Sequence, residues 1–307
     1  MNDHPVIAIV GAGAVGGYYG ARLVQHGCDV QFLLRSDYDT VAKNGWIIQS
    51  LDGDFEIPSK SLHVSNDPNR MRKADLIVIT LKTTANDQLG RLVTPLVKED
   101  TTILTLQNGL GNEELLADLF GPARVVGGMA FTCINRIGPG VIHHMDHGII
   151  RIGEFVGGPS QRCEIISKIF NSSRVRCQVI PDLLAGRWEK LVWNVPFNGL
   201  GAVMDLTTDK LIGTAEGKKL VRGLMMEVIA IAQSLGINFP ADLAEQKISQ
   251  TRTMGAYKSS MQVDRQTGRP LEVEAIFGKV VQKARLQNVV TPLLDVLYHQ
   301  LLIFDAR

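Results

Sequence analysis

The stretch Val6-Ile7-Ala8-Ile9-Val10-Gly11-Ala12-Gly13-Ala14-Val15-Gly16 decides how this chain folds. Its first five residues are apolar and mostly β-branched, which reads as a buried strand. They run into G-x-G-x-x-G, and a helical pattern follows through Tyr18, Leu23 and Val24 to a stop at Gly27. Gly11 permits a tight turn, Gly13 lets backbone approach a pyrophosphate, and Gly16 lets the helix pack on the strand. With Ala12, Ala14 and Val15 they form a loop whose free N–H groups and helix dipole suit phosphate. A lone glycine motif is weak. Here a strand precedes it, a helix follows, and a second strand over 29–34 arrives on schedule, so dinucleotide binding is expected. That second strand ends at Arg35-Ser36, where an NAD-binding fold usually carries an acid. An arginine there suits the 2′-phosphate of NADP, while Asp37 two residues on leaves NAD open.

The rest of the first half keeps alternating strand and helix, as in a wound parallel sheet. Residues 46–57 read as a hairpin turning at Asp52-Gly53. Buried strands are expected over 74–81, ending at Lys82, and over 101–106, ending at Gln107-Asn108-Gly109. Lys82 and Asn108 then lie at carboxyl ends of parallel strands, the ligand edge of such sheets. Residues 125–130 continue the sheet, and a Gly- and His-containing hairpin leads to 149–153. From about Leu183 amphipathic runs take over: 183–197, 216–235, 241–259, 271–286 and 292–304. The expected fold is α/β, with a Rossmann-like N-terminal domain over 1–181 and an all-helical C-terminal domain over 182–307.

The first helical run contains Arg187-Trp188-Glu189-Lys190-Leu191-Val192-Trp193-Asn194-Val195-Pro196-Phe197-Asn198. On a helix Lys190, Asn194 and Asn198 stack along one face. A partly desolvated lysine beside two carboxamides suits binding and protonating a small oxygen-rich ligand. This helix opens the second domain and is expected to face a ligand cleft.

Bulk properties narrow the function. The net charge is +1 and basic residues form no long run, which argues against nucleic acid as the main partner. No segment has the ~18 uninterrupted apolar residues of a membrane span. The chain enters its first strand without room for a signal peptide. Cys28, Cys133, Cys163 and Cys177 are scattered, as reduced thiols of a cytoplasmic protein would be. His143, His144 and His147 suggest no metal site: they sit in a hairpin read as turning at Asp146-His147-Gly148, and neighbours on a strand point to opposite faces.

These motifs, taken in order, resemble the ketopantoate reductase (2-dehydropantoate 2-reductase) family nearly end to end. The residues that carry the likeness are the glycine loop, Leu81-Lys82-Thr83, Leu106-Gln107-Asn108-Gly109, Ile152-Gly153-Glu154 and Trp188-Glu189-Lys190-Leu191 with Asn194 and Asn198. Ser259-Ser260-Met261 with Asp264, Leu271-Glu272-Val273-Glu274, Thr291-Pro292 and Leu297-Tyr298 follow. The resemblance implies NADPH-dependent reduction of a 2-oxo acid, ketopantoate, to a 2-hydroxy acid, pantoate, as in pantothenate biosynthesis. It implies Lys190 as general acid, and Asn194 and Asn198 as donors to the substrate's oxygens. It further implies Ser260 on the carboxylate, Glu272 on a hydroxyl or orienting the lysine, and Lys82 and Asn108 near nicotinamide and substrate. Leu271, Phe277 and Leu294 depart from the family's usual Thr, Asn and Asn, which leaves room for a larger or more apolar 2-oxo acid. A related reductase of another oxo acid and a non-catalytic NADP-binding redox regulator are the alternatives. A homo-oligomer is compatible with the sequence.

Overall fold

The computed structural model describes residues 4–306, which fold as two compact units. One runs up to Gln107 and resumes over Asn112–Leu183, and the other joins Asn108–Gly111 to the chain from Leu184 onward.

The first unit is an α/β structure. Its elements are β1 (Val6–Val10), α1 (Ala14–Gln25), β2 (Asp29–Leu33), α2 (Tyr38–Asn44), β3 (Trp46–Ser50), β4 (Phe55–Ile57) and β5 (His63–Ser65). After these come β6 (Leu76–Ile79), α3 (Leu89–Val93), β7 (Thr102–Thr105), α4 (Asn112–Phe120), β8 (Val125–Gly138), β9 (Val141–Glu154), α5 (Gln161–Ser172) and β10 (Cys177–Val179). The sheet order is β4-β3-β9-β8-β7-β6-β1-β2-β5, with β10 beside β9. From β5 to β8 every pair is parallel. Both faces of this block are covered, so its central strands β1 and β6 are apolar at every position: Ile7, Ile9 and Val78 pack on one side with Phe32 of β2, and Ala8, Val10, Ile77 and Ile79 on the other. Strand β1 lies between β2 and β6, so the chain reverses its direction of winding at the glycine loop, where open α/β sheets bind ligands.

Beyond β8 the sheet is mixed. Strands β8 and β9 form a long antiparallel ribbon, and β3 of the expected hairpin joins β9 in parallel. The ribbon turns at Pro139-Gly140, not at Asp146-His147-Gly148 as the sequence suggests. The latter segment is a bulge, with φ of 63° at His147 and 113° at Gly148 and register shifts opposite it. A bulge and a turn draw on the same residues, because both need positive φ.

The second unit is all helix: α6 (Leu183–Met204), α7 (Thr208–Gly213), α8 (Ala215–Ser234), α9 (Leu243–Arg252), α10 (Ser260–Gln266), α11 (Lys279–Leu286) and α12 (Pro292–Asp305). A π-helical turn, Glu274–Gly278, leads into α11. Helix α6 runs past Pro196 to Met204, beyond the expected stop at 197. Proline deletes one N–H, but buried Phe197, Leu200 and Ala202 keep the following turns packed. The run expected over 241–259 instead breaks after Arg252 at Gly255, where φ is 62°. Helix α10 then starts afresh, with the Ser259 hydroxyl accepting the Gln262 N–H at 3.4 Å.

Candidate functional site

Helix α6 forms because Trp188, Leu191, Val192 and Val195 recur at helical spacing and sink into the core of the second unit. That leaves Arg187, Lys190, Asn194 and Asn198 stacked on another face. Arg187, Asn194 and Asn198 are buried and Lys190 is partly buried. Glu189 points elsewhere, pairing with Lys247 at 2.6 Å, and the Trp193 indole donates to Thr251 at 2.9 Å. These contacts pin α9 against α6 and fix the rotation of its polar face.

Lys190 Nζ donates to Asn108 Oδ1 at 2.8 Å. Its pKa is pushed down to about 7, first by burial and then by the Arg187 guanidinium, while the Glu272 carboxylate pulls it back up. Glu272 is 2 % exposed, so its charge acts at low dielectric. Lys190, Asn108 and Glu272 are thus gathered into one cluster although 82 residues separate the first two in sequence. Asn194 and Asn198 follow on the next turns of α6. Ser260 is the first residue of α10, and its neighbour Ser259 provides the cap. A Cβ placed on Gly201, one turn beyond Asn198 on α6, would lie 3.0 Å from Ser259 Oγ, so the start of α10 abuts that end of the face. Sequence reasoning passed over Arg187, three residues before Lys190 and readable from the same spacing. It also missed Gln262, whose Oε1 is buried with no hydrogen-bond partner beside Gly201. Nothing in the sequence marks that residue.

In the first unit Gly11 has φ of 93°, and a Cβ there would lie 2.5 Å from the Leu81 nitrogen. Gly16 packs so tightly that a Cβ would lie 2.2 Å from Thr80 Oγ1, which donates to the Gly11 carbonyl at 2.8 Å. A Cβ on Gly13 would approach nothing nearer than the Gly11 carbonyl oxygen at 4.0 Å, and no side chain caps α1, so the loop of Gly11, Ala12, Gly13, Ala14, Val15 and Gly16 leaves the start of the helix uncovered by its own side chains. Arg35 and Ser36 are exposed just past β2. Asp37, which left NAD open on sequence grounds, turns inward: it pairs with Arg136, and accepts from Ser36 Oγ at 2.9 Å and Gly140 N at 3.2 Å. Lys82 is exposed past β6. Gln107 beside it is locked, donating to Leu81 O at 3.0 Å and Asn86 Oδ1 at 2.8 Å.

One of the three histidines of the β8–β9 ribbon is structural. His144 is buried, with Nδ1 on Ser50 Oγ at 2.9 Å and Nε2 on the His147 carbonyl at 3.0 Å. Among the described residues no group of His, Cys, Asp or Glu is arranged to hold a metal, and no helix is long and apolar enough to cross a membrane.

Comparison with known proteins agrees over almost the whole length. Residues 7–157 match the family model described as ketopantoate reductase PanE/ApbA, and residues 182–303 match its C-terminal model. A 2-dehydropantoate 2-reductase from Nostoc sp. is 44% identical over 100% of this chain and 97% of its own length. The crystal structure of 2-dehydropantoate 2-reductase from Geobacter metallireducens superposes with a TM-score of 0.94 at 44% identity, covering 97% of this chain and 99% of that one. The enzyme of the same name from Methylococcus capsulatus gives 0.87 at 32% identity, with 98% and 97% covered. D-mandelate dehydrogenase shares the fold, with a TM-score of 0.91 at 22% identity over 98% of each chain.

Proposed function

This chain belongs to the ketopantoate reductase family, and we propose that it reduces 2-dehydropantoate to pantoate with NADPH, using Lys190 as general acid. The observation that carries the reading is the desolvated Lys190, held at 2.8 Å from Asn108 and poised near pH 7. A lysine with that pKa gives up a proton readily and still places positive charge on an oxyanion before the proton moves.

The first unit suits NADP by its own geometry. The open loop around Gly13 and the uncapped start of α1 fit a pyrophosphate, and exposed Arg35 fits a 2′-phosphate. Asp37, engaged by Arg136, is withdrawn from the role of accepting ribose hydroxyls. Lys82 and Asn108 are assigned to the nicotinamide end. NADPH supplies the hydride. Lys190 protonates the carbonyl oxygen, and Glu272 keeps the lysine charged and oriented. Asn194 and Asn198 donate to the substrate's oxygens, and Ser260 to its carboxylate. The substrate is a small 2-oxo acid.

The test is NADPH oxidation with ketopantoate beside a panel of branched and aromatic 2-oxo acids. Ketopantoate should give the highest kcat/KM, and Lys190→Ala should lose roughly two to four orders of magnitude in turnover with NADPH affinity kept. Near-normal turnover of that variant would put the proton donor elsewhere, with Lys82 next in line. Preference for another oxo acid would assign the chain to a sister activity, a reading favoured by Phe277 and Leu271, both buried. NADPH binding without turnover of any oxo acid would revive a regulatory role.

A further inference from the structure

The four residues Asn108–Gly111 group with the helices, although Gln107 just before them belongs to the sheet unit. A backbone contact holds them there: the Leu110 N–H donates to the Ala275 carbonyl at 2.9 Å. Inside a regular α-helix that carbonyl would already be taken by the N–H four residues later. Ala275 lies in the π-helical turn, where the Lys279 N–H reaches back to Glu274 instead. The wider turn leaves the Ala275 oxygen to the incoming loop. Single π-turns of this kind recur at functional sites.

The approach is close enough to dictate a residue. Gly109 has φ of 82°, and a Cβ there would lie 2.2 Å from the Ala275 oxygen and 2.4 Å from its carbonyl carbon. Both atoms are backbone and cannot step aside cheaply. The same turn also seats α6, since a Cβ on Gly199, next to Asn198, would lie 2.9 Å from the Phe277 ring. Glu272 lies two residues before the turn.

We infer that the π-turn and Gly109 form a latch that sets the Asn108 side chain as the fixed acceptor on Lys190. Gly109 and the Ala275 carbonyl are positioning groups that act through Asn108. The inference rests on the reading of Lys190 as proton donor. An ammonium on a flexible four-carbon stem has three rotatable donors. Holding one on Asn108 aims the others and favours the charged form, against the burial that disfavours it.

The test is Gly109→Ala, alone and combined with Asn108→Ala. With the loop displaced, Lys190 loses the Asn108 oxygen as an acceptor, which favoured its charged form, and its pKa falls. The alkaline limb of kcat/KM should move acid-ward by about one pH unit, for a charged hydrogen bond worth ~1.5 kcal/mol. Activity at pH 7 should drop about fivefold or more, with a wild-type circular-dichroism spectrum and cooperative unfolding as the check on folding. If Gly109 acts through Asn108, adding Gly109→Ala to Asn108→Ala should cost less than about twofold further. Should Gly109→Ala fail to fold, replacing Leu110 by its α-hydroxy analogue deletes the same N–H without adding an atom, and the same acid-ward shift is expected. A wild-type limb and wild-type kcat/KM in either folded variant, or fully additive losses in the cycle, would overturn the latch. Lys190→Ala separates the two failures. If it still turns over, the proton-donor reading falls. If it is inactive while Gly109→Ala keeps its limb, only the latch falls.

Discussion

Replacing Lys190 by Met should inactivate the enzyme and stabilise the protein below pH 7. A folded-state pKa of about 7 against the ordinary lysine value of 10.5 corresponds to roughly 5 kcal/mol, at ~1.4 kcal/mol per pH unit. The sign follows from proton counting. Between those two values the unfolded chain holds the proton and the folded one has released it, so stability rises with pH across that window. Below pH 7 both states are charged and the folded state bears the full desolvation cost. Above 10.5 both are neutral and the cost is gone. Met fills similar volume without charge. It forgoes the bond to Asn108, worth ~1.5–3 kcal/mol for a charged donor, so the net gain at pH 6 should be about 2–3.5 kcal/mol. Urea unfolding of the two cofactor-free proteins at pH 6 and pH 10 measures it, with the advantage of Met shrinking or reversing at the higher pH. A Met variant less stable than the parent at pH 6 would refute the claim that Lys190 is held charged against its burial.

Glu272→Gln removes the charge that raises the Lys190 pKa, so the alkaline limb of the pH–rate profile should move below 7, and the loss of activity should be greatest above that pH. Arg35→Asp should weaken NADPH binding by at least tenfold, since a charge-assisted hydrogen bond to the 2′-phosphate gives way to repulsion between like charges. Calorimetric titration with NADPH and NADH measures this. Arg136→Ala should free Asp37 to accept ribose hydroxyls and narrow the preference for NADPH over NADH, read from the ratio of kcat/KM for the two. Glu154 is buried against Arg162 and Ser160, which hold its pKa below the ordinary carboxylate value despite its burial. Glu154→Gln should therefore lower unfolding stability by ~3 kcal/mol at neutral pH, the scale of a broken buried pair, without moving the pH–rate profile.

Read alone, the sequence determined the Rossmann-like start, the change to helix from about Leu183, and the polar face of α6. Each is a local property. Strand, glycine turn and helix follow one another within twenty residues, and Lys190, Asn194 and Asn198 meet through helical periodicity. Ketopantoate came from the resemblance, since no spacing encodes a substrate. Other features were decided only by the tertiary structure. Gly109 and Ala275 meet across 166 residues, through a carbonyl that a π-turn releases, and no propensity announces that turn. The bulge at His147 and the turn at Gly140 use the same residue types, so only pairing with β8 could tell them apart. Asp37 looked available to a ribose until Arg136, 99 residues away, claimed it. The Lys190 pKa belongs to neither the helix nor the lysine. It comes from burial and from Arg187 and Glu272, charges whose effect at low dielectric exists only once the chain has excluded water.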